Sequence, residues 1–318
     1  MRVAVLDIGT NSTRLLIADV VDGRVTAELV RHSNVTRLGA GVDVEGRLRE
    51  DAMQRVYSTL DGYRAEIDEH RVQTAVAVLT SAVRDSANGG QFSDTVHERY
   101  GIQPHVLSGD QEAQLTFLGA TSERDPADIT PTLVVDIGGG STEVVIGFGH
   151  RAGFHVSTQA GAVRQTERHI HEDPPTDAEL EEVAADVRSI LTAAVPDQQR
   201  DAVRHAIAVA GTATSLAAIA QHLEPYDPER VHGYRLSADQ CREILQRLAA
   251  MMLDERRQVA GLNPDRAPTI VAGTVILGEV LKLFELDQIE VSEHDILRGA
   301  ALGLTTNGAV LGPTTKAD

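Results

Sequence analysis

The chain of 318 residues is 42% hydrophobic and carries 47 acidic and 29 basic residues, which give a formal net charge of −18. This length favours two domains with separate cores, and the acidity argues against nucleic-acid partners, because non-specific affinity for nucleic acid comes from basic surface. No apolar run reaches the roughly 18 residues that span a bilayer and the N-terminus does not resemble a signal peptide, so we expect a cytoplasmic protein without a membrane partner.

The first half of the chain is predicted to run β-β-β-α-β-α-β-α. Its first two strands form a β-hairpin, because two short apolar runs flank a polar turn. A third strand follows the Asp22-Gly23 turn, and apolar residues at helical spacing predict a helix from Asp51 to His70. The rest of this half alternates, with strands at 73–79 and 103–107 and helices at 90–100 and 108–120. The polar stretch Thr121–Thr130 is the best candidate for a linker.

The second half is predicted to repeat this order. Its elements are a second hairpin, a strand at 153–158, a turn at 161–164, a helix at 177–194, a strand at 206–210, helices at 238–253 and 271–284, a strand at 288–292 and a helix at 295–304. The apolar helices after residue 238 suit either a homodimer interface or the core. We expect the Pro-containing tail after Leu311 to be frayed.

The strongest functional signal is an internal repeat. The segment Asp7–Ile17 (DIGTNSTRLLI) reappears as Asp136–Ile146 (DIGGGSTEVVI) at a constant offset of 129 residues. Each copy reads as a hairpin whose tip carries an acidic residue, glycines and hydroxyl groups. Two such hairpins predict two related half-domains that face each other, each with a loop suited to phosphate.

The second hairpin offers an anion-binding loop beside carboxylates. Small residues let the backbone N–H groups approach an anion closely, and this loop consists of Gly138, Gly139, Gly140 and Ser141. Asp136 before the turn and Glu143 after it are placed for a cation or a metal-bound water. The alternative, a glycine-rich turn with a solvated carboxylate, is disfavoured by the first copy. The loop is not a Walker A loop, because no Gly-Lys-Ser/Thr follows.

The first hairpin predicts the opposite lip of the site, with Asp7 followed by Thr10, Asn11 and Ser12. A carboxylate at a strand end costs free energy unless it is paired or metal-bound. A divalent cation would relieve the repulsion between two converging aspartates, and oxygen ligands favour Mg²⁺ or Mn²⁺. The 12 histidines show no close pair at metal-site spacing, which argues against zinc.

Three further positions are candidates with strong structural alternatives. Glu112 near the start of a helix could be a general base, or an acidic residue favoured there by the helix dipole. Arg84 after a strand could clamp a phosphate oxygen or lie at the surface. Gly211 and Thr212 form a glycine corner that could bind phosphate at a helix N-terminus or simply turn the chain.

At these residues the sequence resembles the exopolyphosphatase and guanosine pentaphosphate phosphohydrolase family, within the superfamily of sugar kinases, actin and large heat-shock chaperones. The resemblance runs through essentially the whole chain, and the two hairpins together with Ser108-Gly109-x-x-Glu112-Ala113 carry it. It implies an α/β fold of two ribonuclease-H-like (actin-like ATPase) domains with the active site in the interdomain cleft. The expected domains are residues 1–122 plus about 296–318, and residues 123–295.

The resemblance also implies roles for individual residues. The family's general base falls on Glu112, its phosphate-clamping arginine on Arg84, and its metal-associated carboxylates on Asp7, Asp136 and Glu143. The phosphate-binding backbone falls on 138–141, with Asn11 and Ser12 opposite. One departure is Gln111, where the family usually has an acid.

A second departure is length, since long members of the family append a helical module with a histidine–aspartate metal signature. His294-Asp295 is a lone dipeptide, to which we assign no metal role. The short form and the acidic charge favour short polyphosphates engaged end-on.

The expected activity is metal-dependent hydrolysis of the terminal phosphoanhydride bond of inorganic polyphosphate. Guanosine pentaphosphate is the alternative substrate, and a base-reading aromatic pocket for it is not visible in a chain with 3% aromatic residues. A kinase of the same superfamily and a non-catalytic phosphate or nucleotide sensor are weaker alternatives. The acidic residues argue against both.

Overall fold

The computed structural model describes residues 1–304, so the tail after Leu311, expected to be frayed, lies outside the described residues. The chain divides into two compact units. The first comprises Met1–Ser122 and the described residues from Asp295 on, and the second comprises Glu123–His294. Among residues 1–304, no helix has both the length and the apolar character needed to cross a membrane.

Each unit is built on one mixed β-sheet. The strands are β1 (Arg2–Ile8), β2 (Ser12–Val21), β3 (Arg24–Val35), β4 (Thr74–Leu79), β5 (Gln103–Val106), β6 (Thr132–Ile137), β7 (Thr142–Phe148), β8 (Arg151–Thr158), β9 (His205–Val209), β10 (Arg235–Ser237) and β11 (Gln288–Val291). The first unit holds a five-stranded sheet in the order β3-β2-β1-β4-β5, and the second a six-stranded sheet in the order β10-β11-β9-β6-β7-β8.

Helices connect the strands and cover the sheets. They are α1 (Val42–Glu45), α2 (Glu50–Glu69), α3 (Ser81–Arg84), α4 (Gly89–Tyr100), α5 (Gly109–Thr121), α6 (Ala162–His169), α7 (Asp177–Ala194), α8 (Asp197–Ala202), α9 (Ala210–Ala220), α10 (Pro228–Val231), α11 (Ala238–Ala249), α12 (Leu253–Arg256), α13 (Ile270–Leu283) and α14 (Ile296–Gly303). A short 3₁₀ turn lies at Pro264–Arg266.

The sequence repeat has a counterpart in the topology. In the first sheet, three antiparallel strands β1-β2-β3 are followed by β4, which lies parallel to β1. In the second sheet, β6-β7-β8 form the same antiparallel series and β9 lies parallel to β6. The α/β fold class predicted from the sequence is confirmed.

The central strands are buried on both faces, which is why their sequences are continuous apolar runs rather than alternating ones. In β1, Leu6 packs into one core cluster with Phe92 of α4, whereas Val5 belongs to a second cluster with Leu297 of α14. Successive strand residues point to opposite faces, so β1 supplies both clusters. In the second unit, α13 lies in the core, with Ile276 fully buried.

Two predicted boundaries are wrong for reasons that lie outside the local pattern. The turn predicted at 161–164 is the first turn of α6. The helix predicted at 238–253 ends at Ala249, and a separate helix, α12, begins at Leu253. The Asp173 carboxylate accepts the backbone N–H of Leu253 at 2.9 Å and the guanidinium Nη2 of Arg256 at 2.6 Å, so a side chain distant in sequence binds the first N–H group of the new helix.

Candidate active site

The two repeated segments form two hairpins with the same turn. The Gly9 N–H donates to the Ser12 carbonyl at 3.0 Å, and the Gly138 N–H donates to the Ser141 carbonyl at 2.9 Å. The strand registers also correspond, because Asp7 lies opposite Arg14 in the first hairpin and Asp136 lies opposite Glu143 in the second. That the two hairpins meet across a cleft stays a prediction.

The loop of the second hairpin presents its N–H groups away from α6. The Ala162 and Val163 N–H groups donate to the Gly138 and Gly139 carbonyls, each at 2.9 Å, and Arg164 Nε donates to the Gly140 carbonyl at 2.9 Å. These peptides are trans, so the N–H that follows each carbonyl points the opposite way. The N–H groups at 139–141 therefore have the orientation that an anion-binding loop requires.

Gly161 is required for this arrangement. A Cβ at Gly161 would overlap the backbone of Gly139, Gly140 and Ser141. Only glycine therefore lets the start of α6 approach the loop closely enough to bind its carbonyl groups.

The tip of the first hairpin is fixed in a similar way. The Thr10 carbonyl accepts the Gly39 N–H at 2.9 Å, and the Asn11 carbonyl accepts the Thr36 N–H at 3.0 Å. The Thr10 hydroxyl also lies 3.0 Å from the Ser81 hydroxyl. The N–H groups of Asn11 and Ser12 consequently point away from the segment at 36–39.

Asp7 is buried beside an arginine that the sequence analysis did not identify. Its side chain accepts two hydrogen bonds from Arg14 on the same oxygen, at 2.8 and 2.5 Å, and the same guanidinium also contacts the Asp295 carboxylate. Burial raises the pKa of Asp7, while the charge and hydrogen bonds of Arg14 oppose that rise. The repeat itself contained this signal, since Arg14 aligns with Glu143 at the same offset of 129 residues.

The second oxygen of Asp7 fits a metal-associated role. Asp7 is 4% exposed, and its Oδ1 is buried without a hydrogen-bond partner among the residues that the structure describes. A buried carboxylate oxygen without a partner is costly. A bound cation or a cation-bound water would satisfy it.

Asp136 and Glu143 form a pair of opposed carboxylates. As directly opposite residues on antiparallel strands, they project from the same face with Cβ atoms about 5 Å apart, and like charges in that arrangement are destabilising. Glu143 is 3% exposed and accepts a hydrogen bond from the Ser157 hydroxyl at 2.8 Å. Two carboxylates on one face suit a hard divalent cation.

Glu112 and Arg84 are brought together in the first unit. Arg84 Nη1 donates to Glu112 Oε2 at 3.0 Å and to the Leu107 carbonyl at 3.0 Å. Glu112 lies in the first turn of α5 and is 7% exposed. Ser108 and Gln111 form a capping box at this helix N-terminus. Gln111, which stands where the family usually has an acid, therefore still supports the helical turn that carries Glu112.

The glycine corner lies at the start of α9. The Thr212 hydroxyl donates to the Ile137 carbonyl at 3.3 Å, which ties this helix to the end of β6. A Cβ at Gly211 would overlap the guanidinium of Arg266, so an arginine lies directly against this glycine. Arg266 is a second cation that the sequence analysis did not single out.

The sequence has no close pair of histidines at metal-site spacing, but the fold brings two distant histidines together. His232 and His294 have ring centroids 4.1 Å apart, and Glu123 lies beside both. The pair was missed because its members are far apart in the sequence and only the fold of the second unit brings them together.

Comparison with known proteins identifies the family of the chain. The model of the Ppx/GppA phosphatase family matches residues 16–305. Exopolyphosphatase 2 of Mycobacterium tuberculosis is 38% identical, over 95% of this chain and 98% of that protein.

Solved structures agree with this match. The structure of an exopolyphosphatase from Cytophaga hutchinsonii superposes with a TM-score of 0.87 at 30% identity and covers 98% of this chain and 100% of that one. An Aquifex aeolicus member of the Ppx/GppA family gives a TM-score of 0.81 at 31% identity, with 97% and 99% covered. The family resemblance inferred from the sequence is confirmed, and the chain belongs to the Ppx/GppA phosphatase family.

Proposed function

We propose that this protein is an exopolyphosphatase that hydrolyses the terminal phosphoanhydride bond of inorganic polyphosphate and releases orthophosphate. The observation that carries the proposal is the buried Glu112 carboxylate at the start of α5, hydrogen-bonded by Arg84 at 3.0 Å. A carboxylate held beside a guanidinium suits the activation of water next to a phosphate group. The relatives named exopolyphosphatase support polyphosphate as the substrate.

Glu112 acts as the general base in this proposal. Its carboxylate removes a proton from a water molecule as the water oxygen attacks the terminal phosphorus. The bond from that phosphorus to the bridging oxygen breaks, so orthophosphate and a chain shorter by one phosphate are formed.

Arg84 and the hairpin loops orient the phosphoryl group. A guanidinium has five N–H donors in a planar fork, so Arg84 can contact Glu112 and a phosphate oxygen together. The N–H groups at 139–141, together with those of Asn11 and Ser12, bind phosphate oxygens. Phosphoryl transfer depends mainly on such positioning and on the neutralisation of charge.

The residues that would hold a divalent cation are Asp7, Asp136 and Glu143. The Asp7 Oδ1, which has no hydrogen-bond partner among residues 1–304, and the opposed carboxylates of the second hairpin fit a hard cation with oxygen ligands. We propose Mg²⁺, with Mn²⁺ as the alternative. When bound, such a cation neutralises charge on the phosphoryl oxygens.

Other substrates and properties of the protein are less well supported. Guanosine pentaphosphate is the second substrate candidate, and the names of the relatives do not favour it. The preference for short chains, the cytoplasmic location and the homodimer stay predictions.

The proposal is tested by phosphate release from polyphosphates of graded length, with guanosine pentaphosphate in parallel and with Mg²⁺ or Mn²⁺ added to metal-free protein. We expect stepwise release of orthophosphate, fastest from short polyphosphates and dependent on the added cation. Faster release from guanosine pentaphosphate than from every polyphosphate, or phosphoryl transfer from ATP to a sugar, would contradict it.

A further inference from the structure

We propose that Glu123, His232 and His294 form a binding site for a transition-metal cation of the Zn²⁺ class. Each residue offers one ligand atom, and the three atoms lie within 4.8 Å of one another. His232 Nε2 lies 3.5 Å from one carboxylate oxygen of Glu123, and His294 Nδ1 lies 3.8 Å from the other. Two ligand atoms about 2.1 Å from a tetrahedral zinc ion are about 3.4 Å apart, so small side-chain rotations complete the site.

The backbone fixes where the two histidines lie. His232 and Gly233 follow α10, and the Gly233 N–H donates to the Val291 carbonyl of β11 at 2.8 Å. His294 follows the same strand, where its N–H donates to the Ser292 hydroxyl oxygen at 2.9 Å. Both imidazoles are therefore held beside the end of β11, and the site needs no rearrangement of the main chain.

The outer contacts of His232 indicate how a metal would be bound. The Glu293 N–H points at His232 Nδ1 from 3.3 Å, which places the ring proton on Nε2, facing Glu123, when no metal is bound. A metal at Nε2 displaces that proton. The proton moves to Nδ1, where the Ser292 hydroxyl oxygen 3.4 Å away can accept it. A small rotation of the ring then turns Nδ1 away from the Glu293 N–H, so that two donors do not face each other.

The chemistry of the ligands selects the cation. Two imidazoles and one carboxylate favour Zn²⁺ and its neighbours over Mg²⁺, which prefers oxygen ligands. Three protein ligands leave a fourth position for water. The side chains of Glu123, His232 and His294 are 57%, 32% and 12% exposed, so a cation can reach the site from solvent.

The position of the cluster gives the site a consequence for stability. Glu123 is the first residue of the second unit and His294 is its last. A metal bound by both would link the two ends of that unit. Because a cation that binds the folded protein stabilises it by mass action, the thermal midpoint should rise with zinc concentration.

Calorimetric titration of the full chain with ZnCl₂, in excess Mg²⁺, tests the proposal. We expect one zinc ion per chain. The affinity should fall by more than about 100-fold in His232→Ala and in His294→Ala, because the loss of an outer-shell contact alone costs 10- to 100-fold. Glu123→Gln removes the carboxylate with little change of volume and should also weaken binding.

The matched control is His171→Ala, which removes an exposed histidine outside the cluster and should bind zinc like the unaltered protein. Circular dichroism checks that each variant is folded. Equal zinc affinity in the unaltered protein and in the folded Glu123→Gln and His294→Ala variants would overturn the proposal, as would the absence of stoichiometric binding. Phosphate release from polyphosphate is measured separately, so failure of the zinc site leaves the proposed function standing.

Discussion

The β1–β2 and β6–β7 hairpins carry an aspartate at the same position of the same turn, but the residue across the ladder is Arg14 in one and Glu143 in the other. In the first hairpin the aspartate is buried and shares the arginine with Asp295. In the second, two carboxylates occupy one face of the sheet.

The two copies of the repeat have the same turn but differ in the charge of the residue opposite the aspartate. The turn hydrogen bonds differ by only 0.1 Å between the copies, so the loop geometry for phosphate is common to both. Asp7 faces the guanidinium of Arg14, whereas Asp136 and Glu143 face each other across the ladder, where a cation would relieve their repulsion. We therefore expect the second hairpin to supply most of the ligands of the cation, with Asp7 as a further ligand whose pairing with Arg14 also contributes to stability.

Between the two hairpins, the largest expected effect is that of Asp136→Asn on catalysis. Loss of one carboxylate from the opposed pair should lower turnover on polyphosphate by at least about 100-fold, because metal-based charge stabilisation is worth several kcal/mol and 1.36 kcal/mol is tenfold in rate. The measurement is phosphate release over a range of Mg²⁺ concentrations. Glu143→Gln should likewise raise the Mg²⁺ concentration needed for activity.

Asp19→Asn is the control for this experiment, because Asp19 forms a surface ion pair with Arg2 and lies in the first sheet. Its activity and Mg²⁺ requirement should match those of the unaltered protein. If the activity of Asp136→Asn depended on Mg²⁺ as that of the unaltered protein does, the expectation that the second hairpin binds the cation would be contradicted.

The next effect is on folding, through Arg14→Gln. Removing one partner of a buried ion pair leaves a carboxylate without its cation and typically costs about 3 kcal/mol or more, which urea unfolding of the metal-free protein would measure. Arg14 lowers the pKa of Asp7 against the effect of burial. The loss should therefore be present at neutral pH and shrink as the pH falls and Asp7 becomes protonated.

Asp7→Asn in the Arg14→Gln background separates the charge from the packing. The double variant should recover part of the lost stability at neutral pH, because no buried carboxylate then remains at position 7. A destabilisation in Arg14→Gln that grows towards acid pH would show that Arg14 does not act through the charge of Asp7.

Much of the architecture was predictable because it is encoded locally. The helix predicted at about 177–194 is observed as Asp177–Ala194, and a threonine–glutamate capping box at its start shows how local sequence fixes that end. The hairpins follow from apolar runs around a polar turn. The pairing of Asp136 with Glu143 follows from the short turn, which sets the strand register.

The remainder depends on contacts between residues distant in sequence. Arg14 meets Asp295 only once α14 packs beside β2, and no local pattern specifies that contact. The cluster of Glu123, His232 and His294 arises in the same way. Arg84 and Glu112 were each weak candidates by pattern, and their 3.0 Å hydrogen bond became visible only in the fold.

The most direct test of the central claim is the turnover of purified Glu112→Gln on short polyphosphate. Glutamine preserves the shape of the side chain and its contact with Arg84 but cannot accept the proton from water. We predict a fall in turnover of about 10²- to 10⁴-fold, with substrate binding and Mg²⁺ affinity nearly unchanged. Turnover equal to that of the unaltered enzyme would contradict the assignment of Glu112 as the base.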